Sequence, residues 1–214
     1  MKSKIHSFLA QKNKNRSKNL FFALFALGTL SAIAQPKGKE AHMAPIFSPG
    51  YYVSLKGDTV RGEVQTNLDK EPMFYTSVWF KPKGTTKAVE VGPKKAKAYG
   101  YDETNFGMLH MDESDVYIKY IAEGRLILAE YKFPKMEDGK EKIKSVYFIK
   151  DTKAAGDDKF GTGEFNQLPE RDHKKVLKNF FRDQPILLDQ VDKWVFKIDE
   201  IKKAVTEFNA MYTE

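Results

Sequence analysis

The residues of this chain best suited to acid–base chemistry are acidic and lie beside glycines. Asp58 stands in Gly57-Asp58-Thr59, which has the residue types of the aspartic-protease motif in the wrong order. That chemistry also needs a second aspartate in a matching motif, because two carboxylates share one proton. The chain has no such second motif. We therefore interpret Asp58 as a residue of a structural hairpin turn.

A glycine-rich segment, Gly156–Gly163, has the Gly-x4-Gly spacing of a phosphate-binding loop. Such a loop continues with Lys and then Ser or Thr, because the lysine reaches the phosphates and the hydroxyl holds magnesium. Here Thr162 and Gly163 follow the second glycine, so we predict a surface loop.

Two acidic clusters offer oxygen ligands for calcium. Neither has the alternate spacing of an EF-hand loop, so solvated turns are the favoured interpretation and bound calcium is the alternative. The residues concerned are Asp157, Asp158 and Glu164 in one cluster, and Asp112, Glu113 and Asp115 in the other.

The remaining candidates for catalysis stand alone. His42, His110 and His173 have no metal-ligand spacing, and no serine lies in a Gly-x-Ser-x-Gly motif. The absence of cysteine excludes disulfides, thiolate metal sites and a lipid-modified cysteine. We predict no catalytic residue, metal or cofactor, and we interpret His110 as a half-exposed sheet residue. A hydrolase whose site is assembled only by folding is an alternative.

The N-terminus has the three parts of a secretory signal peptide. Residues 1–19 carry six cations and no acid, an apolar run extends from Leu20 to Leu30, and Ala32-Ile33-Ala34 is an A-x-A site. The run is shorter than the roughly 20 residues that cross a membrane, which disfavours a retained anchor. We predict a bacterial protein exported to the periplasm or beyond, cleaved after Ala34 and without a transmembrane segment after cleavage.

Most of the apparent basicity belongs to this N-terminal segment. Its removal lowers the formal net charge from +7 to +1. Nucleic-acid binding depends on a clustered basic surface, so we do not expect a nucleic-acid partner.

Residues 50–150 alternate with a period of two, which predicts antiparallel strands. In the segment GYYVSLKGDTVRGEV we predict a two-residue Gly57-Asp58 loop. This loop places Leu55 opposite Val60 and Val53 opposite Gly62, and it puts Tyr51, Val53 and Leu55 on one apolar face. Gly62 would leave room beside Val53.

A three-strand meander is predicted between Val116 and Phe148. A Glu123-Gly124 loop would set Tyr120 opposite Ile127, and an Asp138-Gly139 turn would set Tyr131 opposite Val146. Further strands are predicted at 73–80, 86–91, 98–103 and 106–111. Seven or eight strands of this kind form a curved antiparallel sheet, either a half-open barrel or a sandwich.

The flanking segments differ in pattern. Residues 35–49 mix proline, glycine and charge and are predicted to be a flexible leader, and residues 151–168 are predicted to be a loop. Residues 169–214 have helical periodicity in three stripes, the second beginning at Pro185. The sequence therefore predicts an α+β protein, with a C-terminal helical region packed on the sheet.

Aromatic residues make up 13 % of the chain and concentrate in the strand region. Aromatic side chains fill the cores of small β proteins, which is the simpler interpretation. The functional interpretation is a ligand face in the half-barrel, lined by Tyr117, Tyr120 and Tyr131.

The chain resembles a family of exported bacterial proteins of unknown function. Their mature domain opens with a Gly-Tyr strand and a Gly-Asp-Thr-x-x-Gly hairpin, and it closes with a D-x-P break and an aromatic-Asn pair. The matching residues are Gly50, Tyr51, Gly57, Asp58, Thr59, Gly62, Asp183, Pro185, Phe208 and Asn209. The family usually closes with Tyr-Asn where this chain has Phe-Asn. The resemblance implies export and no particular activity.

These observations favour an exported, soluble, non-enzymatic protein that binds a protein or glycan partner. A carrier of a lipid or glycan, using the tyrosine face, is the alternative. It requires an apolar cavity at that face, whereas the hydrolase requires a cleft where a base meets a nucleophile.

Overall fold

The computed structural model describes residues 44–154 and 162–212. Ten strands form one open antiparallel sheet, and three helices follow, which confirms the predicted α+β class with a curved sheet. The strands are β1 Phe47–Ser54, β2 Thr59–Gln65, β3 Val78–Pro82, β4 Val89–Val91, β5 Ala96–Tyr101, β6 Thr104–Met111, β7 Ser114–Ala122, β8 Leu126–Glu137, β9 Lys140–Asp151 and β10 Asn166–Gln167. The helices are α1 His173–Phe180, α2 Pro185–Val191 and α3 Ile198–Ala210.

The strand order is β10-β9-β8-β7-β6-β5-β1-β2-β3-β4. Strands that are consecutive in the chain are neighbours in the sheet, except β4 and β5, and β1 lies between β2 and β5. This contact joins the β1–β4 segment to the meander β5–β10. Because the sheet is unclosed, its outer strands are β10, of two residues, and β4, of three.

The predicted register of the β1–β2 hairpin is wrong. Val53 lies opposite Thr59 and Tyr52 opposite Val60, because the connection is longer than the predicted Gly57-Asp58 loop. The shift is by an odd number of residues, which exchanges the two faces of β1 relative to β2. Tyr52 and Val60 therefore point to the core, while Leu55 lies in the turn and is 53 % exposed.

The register of β8 and β9 is confirmed: Tyr131 lies opposite Val146 and the turn is at Asp138-Gly139. Both turn residues have positive φ, which the type I′ turn requires. Between β7 and β8 the prediction is wrong by two residues, since Tyr120 lies opposite Ala129 rather than Ile127. An irregularity between Tyr120 and Ala122 takes up the difference.

Other boundaries also differ from the predictions. The segment predicted as a strand at 73–80 begins as a 3-10 helix, Glu71–Tyr75, because Pro72 presets its first turn, and β3 starts only at Val78. The first strand begins at Phe47, inside the predicted leader, and β9 and β10 extend into the predicted loop 151–168. The predicted signal peptide lies outside the described residues.

The two faces of the sheet differ in what lies on them. We call the face that carries Tyr52, Tyr99 and Phe106 the covered face, because the 3-10 helix packs on it through Tyr75. On the same face, Leu126, Leu128 and Ile149 form the core with the three helices. None of the helices in the described residues is long and apolar enough to cross a bilayer.

We call the opposite face the open face. The register places Arg61, Tyr51 and Gly100 in one row across it. Further along the sheet it carries a small cluster centred on Ile118, Ala129 and Phe148, which includes no residue of α1, α2 or α3.

Candidate functional site

A cavity of about 660 Å³ lies where β1, β2 and the end of β3 meet the turn after β5. We call this cavity the groove. Its lining combines cations, carboxylates and tyrosines from β1, β2, β3 and β5 and from the residues that directly follow β3 and β5. The charged and aromatic residues of the lining are Tyr51, Arg61, Glu63, Lys81, Lys83, Tyr101 and Asp102.

Two glycines lie side by side in the lining of the groove. Gly50 lies directly opposite Gly62 in the β1–β2 register. A Cβ atom on Gly50 would lie 2.5 Å from the carbonyl oxygen of Gly100, and one on Gly62 would lie 2.6 Å from Cζ of Phe80. The space beside Gly62 is therefore filled by Phe80, and not by Val53 as the sequence predicted. Close backbone and ring packing explains both glycines.

One row of charges across the groove is compensated. Glu63 lies opposite Lys81 in the β2–β3 register, and the lysine Nζ lies 3.0 Å from the carboxylate Oε2. The same Nζ lies 4.2 Å from the centre of the Phe47 ring. Lys81 is thus held by two partners and contributes little free positive charge.

The neighbouring row is not compensated. The backbone N–H of Lys83 donates to the carbonyl oxygen of Arg61 at 3.2 Å, which continues the β2–β3 ladder and puts the two cations opposite each other. Both side chains are exposed, and neither forms an ion pair with another residue of the described ranges. Like charges directly opposite in a sheet are destabilising. This row has the chemistry to hold an anionic group.

Tyr51 is fixed in the groove by a polar chain. Its hydroxyl donates to Oδ1 of Asn105 at 2.7 Å, and Nδ2 of Asn105 donates to Oε1 of Glu123 at 2.9 Å. Burial, and then the charge of Glu123, raise the pKa of Tyr51 above its ordinary value. The hydroxyl therefore stays protonated at neutral pH and acts as a hydrogen-bond donor rather than as a base.

Tyr101 also reaches the lining, but it lies opposite Gly50 and its ring points to the covered face. Its ring centre lies 5.9 Å from that of Phe74 and 6.2 Å from that of Phe106. Burial, followed by the charge of Asp102, raises the pKa of this tyrosine as well. Asp102 itself is exposed, in a turn with φ of 48°.

The predicted hairpin residues form a turn held by local hydrogen bonds. The N–H of Ser54 donates to the carbonyl oxygen of Asp58 at 2.8 Å, and the N–H of Asp58 donates to Oγ of Ser54 at 3.1 Å. Gly57 has φ of 100°, and Thr59 begins β2. Asp58 and Thr59 are exposed, and the partners of Asp58 belong to its own turn.

The three tyrosines predicted to form one ligand face are divided. Tyr117 is fully buried on the covered face, where its hydroxyl donates to the carbonyl oxygen of Ala96 at 3.0 Å. Tyr120 lies on the same strand, an odd number of residues from Tyr117, so its side chain points to the open face, where it contacts Gly107. Tyr131 packs edge-on against Tyr75 at 5.6 Å. Tyr117 thus contributes to the core and not to a shared cavity.

The described histidines are also separate. Nδ1 of His110 lies 2.8 Å from Oδ1 of Asp115 across the β6–β7 hairpin, on an exposed surface. His173 is buried at the start of α1, where its Nδ1 pairs with the carbonyl oxygen of Glu170. Within the two described ranges, no group of three or more His, Cys, Asp or Glu residues could hold a metal ion. His42, Asp157 and Asp158 lie outside those ranges.

The groove was not predicted from the sequence. The sequence does not indicate that Arg61 and Lys83 lie opposite each other, because this depends on the pairing of β2 with β3. The one available signal was Gly62, which marks a close approach within an alternating strand. With the correct β1–β2 register, alternation would have placed Arg61 beside Tyr51 on the open face.

Comparisons of the chain with protein-family models, with curated proteins and with solved structures found no match.

Proposed function

We propose that this protein is an exported, non-enzymatic binding protein that holds a macromolecular ligand in the groove. The observation that carries the proposal is the uncompensated pair Arg61 and Lys83, opposite each other in a cavity of about 660 Å³. A cation pair without a carboxylate partner costs folding free energy. A bound anionic group would offset that cost.

The chemical groups of the groove suit recognition. Its lining includes no histidine, serine or cysteine, and the hydroxyl of Thr85 donates to the carbonyl oxygen of Pro82 at 2.9 Å. The tyrosine hydroxyls are donors with raised pKa values. Such groups orient a ligand by hydrogen bonds and charge, as the polar groups of binding sites do.

Export is part of the proposal because of the N-terminal sequence. The basic segment, the short apolar run and the Ala32-Ile33-Ala34 site together support cleavage after Ala34. The resemblance to exported bacterial proteins supports the same location. Three of the residues that carry this resemblance have structural roles here. Gly50 and Gly62 allow close packing beside the groove, and the side chain of Asn209 forms hydrogen bonds with the backbone of Leu126.

The test is native mass spectrometry of the protein isolated from the envelope fraction of its host. The wild type would be compared with Arg61→Glu/Lys83→Glu and with Lys56→Glu/Lys175→Glu, which makes the same charge change at two exposed lysines outside the groove. We expect a chain that begins at Gln35 and a bound macromolecule that is lost only from the groove variant.

Other outcomes of this experiment have distinct meanings. A bound small mass would favour the lipid or glycan carrier. A macromolecule retained by the groove variant as well as by the wild type would contradict the proposed site. A chain that keeps residues 1–34 would contradict the proposed export.

A further inference from the structure

We infer that the ligand of the groove is an anionic sugar chain, a polymer that carries both hydroxyl groups and acidic groups. The inference rests on the proposed function, because it names the chemistry of the ligand held there. Three features of the lining carry it: the cation pair, the carboxylates beside that pair, and the fixed ring of Tyr51.

The cation pair calls for an anionic group. Arg61 and Lys83 project from opposite residues of neighbouring strands, so one carboxylate or sulfate can contact both. The guanidinium offers two parallel N–H donors, and the lysine offers a point charge. Both cations are exposed, so the ligand reaches them without displacing protein partners.

The carboxylates beside the pair limit how acidic the ligand is. Glu63 is neutralised by Lys81, but Asp102 has no ion-pair partner among the described residues. The groove therefore offers two free cations and one free carboxylate. A peptide with an acid at every residue would be repelled by Asp102. A sugar chain has hydroxyls that donate to that carboxylate and acidic groups that pair with the cations.

The ring of Tyr51 provides aromatic surface that is already in place on the open face. The ring of Tyr51 lies against Gly100, where a Cβ atom would be 2.8 Å from its Cε1, and Asn105 fixes its hydroxyl. Tyr101 lies opposite Gly50 and packs against Phe74 and Phe106 on the covered face, so its ring is not part of this surface. The C–H faces of sugar rings pack on aromatic faces, which carry partial negative charge. Because the Tyr51 ring is held before binding, little side-chain entropy is lost.

Isothermal titration calorimetry of the full chain tests the inference with four probes. Oligogalacturonate carries carboxylates and dextran sulfate carries sulfates. Methyl-esterified oligogalacturonate has the same sugar backbone without the charge, and poly-glutamate has the charge without the sugar. The protein variants are Arg61→Glu/Lys83→Glu for the groove and Lys56→Glu/Lys175→Glu as the charge-matched control.

We expect the wild type and the control variant to bind oligogalacturonate, dextran sulfate or both, and the better of the two identifies the acidic group. The groove variant should bind it at least about tenfold more weakly, and added salt should weaken binding by the wild type. The methyl ester and poly-glutamate should bind at least about tenfold more weakly than the preferred probe.

Equal binding of the methyl ester would overturn the requirement for charge, and preferential binding of poly-glutamate would overturn the sugar. Binding to neither anionic sugar chain would overturn the inference as a whole. Each of these results leaves the proposed function standing if a macromolecule from the envelope fraction is still lost only from the groove variant. If both variants retained the macromolecule, the inference and the proposed function would both be contradicted.

Discussion

The side chain of Asn209 joins the last helix to the sheet. Its Oδ1 accepts from the N–H of Leu126 at 2.7 Å, and its Nδ2 donates to the carbonyl oxygen of the same residue at 2.8 Å. The amide thus takes the place of a neighbouring strand at the start of β8. Gly124 has φ of 153°, and a Cβ there would lie 2.5 Å from Cγ of Asn209. Gly124 therefore leaves the space that the amide occupies.

Asn209→Asp should destabilise the protein with little change in volume. The carboxylate keeps an acceptor for the N–H of Leu126 but has no donor for its carbonyl oxygen, so two acceptors face each other. Loss of such a partly buried bond costs about 1–3 kcal/mol. Urea unfolding measures the free energy, with Asn179→Asp on α1 as control. Equal losses in the two variants would contradict the role given to Asn209.

Asp58→Ala should cost a smaller amount of stability and leave binding unchanged. The replacement keeps the backbone bond from the N–H of Ser54 to the carbonyl oxygen of residue 58 and removes only the carboxylate, which lies 3.4 Å from Oγ of Ser54. An exposed bond of this length is worth at most about 0.5–1 kcal/mol. Thermal unfolding and ligand titration measure the two effects. Loss of binding with the fold intact would show that Asp58 takes part in function.

At the scale of elements, turn chemistry decided which strand registers were predictable. Asp138-Gly139 fits a type I′ turn, and the β8–β9 register followed from it. The β1–β2 turn also contains Gly and Asp, but Ser54 bonds to Asp58 across a longer connection, and the predicted faces were exchanged. A local dipeptide does not reveal a bond between residues four apart that competes with the shorter loop.

The groove depends on pairings that no local pattern determines. Arg61 and Lys83 meet only because β2 and β3 pair after an intervening 3-10 helix. Asp102 reaches the same cavity because β5 lies beside β1. Helices α1 to α3 were predictable because apolar residues recur at helical spacing within each of them. The charges of the groove carry no such period, so the sequence contained the residues without their proximity.

Lys83→Glu should raise stability while it weakens binding. The glutamate would face Arg61 across the β2–β3 ladder, so a repulsive pair becomes an attractive one. Cross-strand charge pairs differ by about 0.2–1 kcal/mol. Urea unfolding at low salt and titration with the anionic sugar chain measure the two effects.

Lys83→Gln is the matched control for this prediction, because it removes the repulsion without adding an attraction. Its stability should lie between those of the wild type and Lys83→Glu. The stability differences should shrink as salt screens the charges. A glutamate variant less stable than the wild type at low salt would show that Arg61 and Lys83 do not repel each other.

At the scale of the whole molecule, the covered face divides into a largely aliphatic core under the helices and an aromatic core under the 3-10 helix. The aromatic core holds the hydroxyls of Tyr75, Tyr99 and Tyr117 away from water. Burial raises the pKa of each of these tyrosines. On the open face, burial, followed by the charges of Glu123 and Tyr51, raises the pKa of Tyr120 to about 12. Neutral phenols are therefore part of the folded state.

These tyrosines should make the protein unfold in alkali. A phenol whose pKa is raised by folding makes its full contribution to the free energy of unfolding below pH 10, where it is protonated in both the folded and the unfolded state. Above pH 10 the unfolded chain loses protons that the folded chain retains, so the free energy of unfolding falls by about 1.4 kcal/mol per pH unit for each such tyrosine. The loss should be steep between pH 10 and 12, and it should continue for groups whose folded pKa lies higher.

Phenolate absorbance measures the ionisation of the tyrosines, and near-UV circular dichroism measures the loss of tertiary structure. Both are recorded together from pH 8 to 13. We expect the exposed tyrosines to ionise first, while the dichroism stays native, and the buried tyrosines to ionise together with loss of the signal. In urea all the tyrosines should titrate near pH 10, which serves as the unfolded reference. If every tyrosine of the native protein ionised near pH 10 while the dichroism stayed native, the aromatic core would be open to water. That result would contradict the burial of Tyr75, Tyr99 and Tyr117 on the covered face.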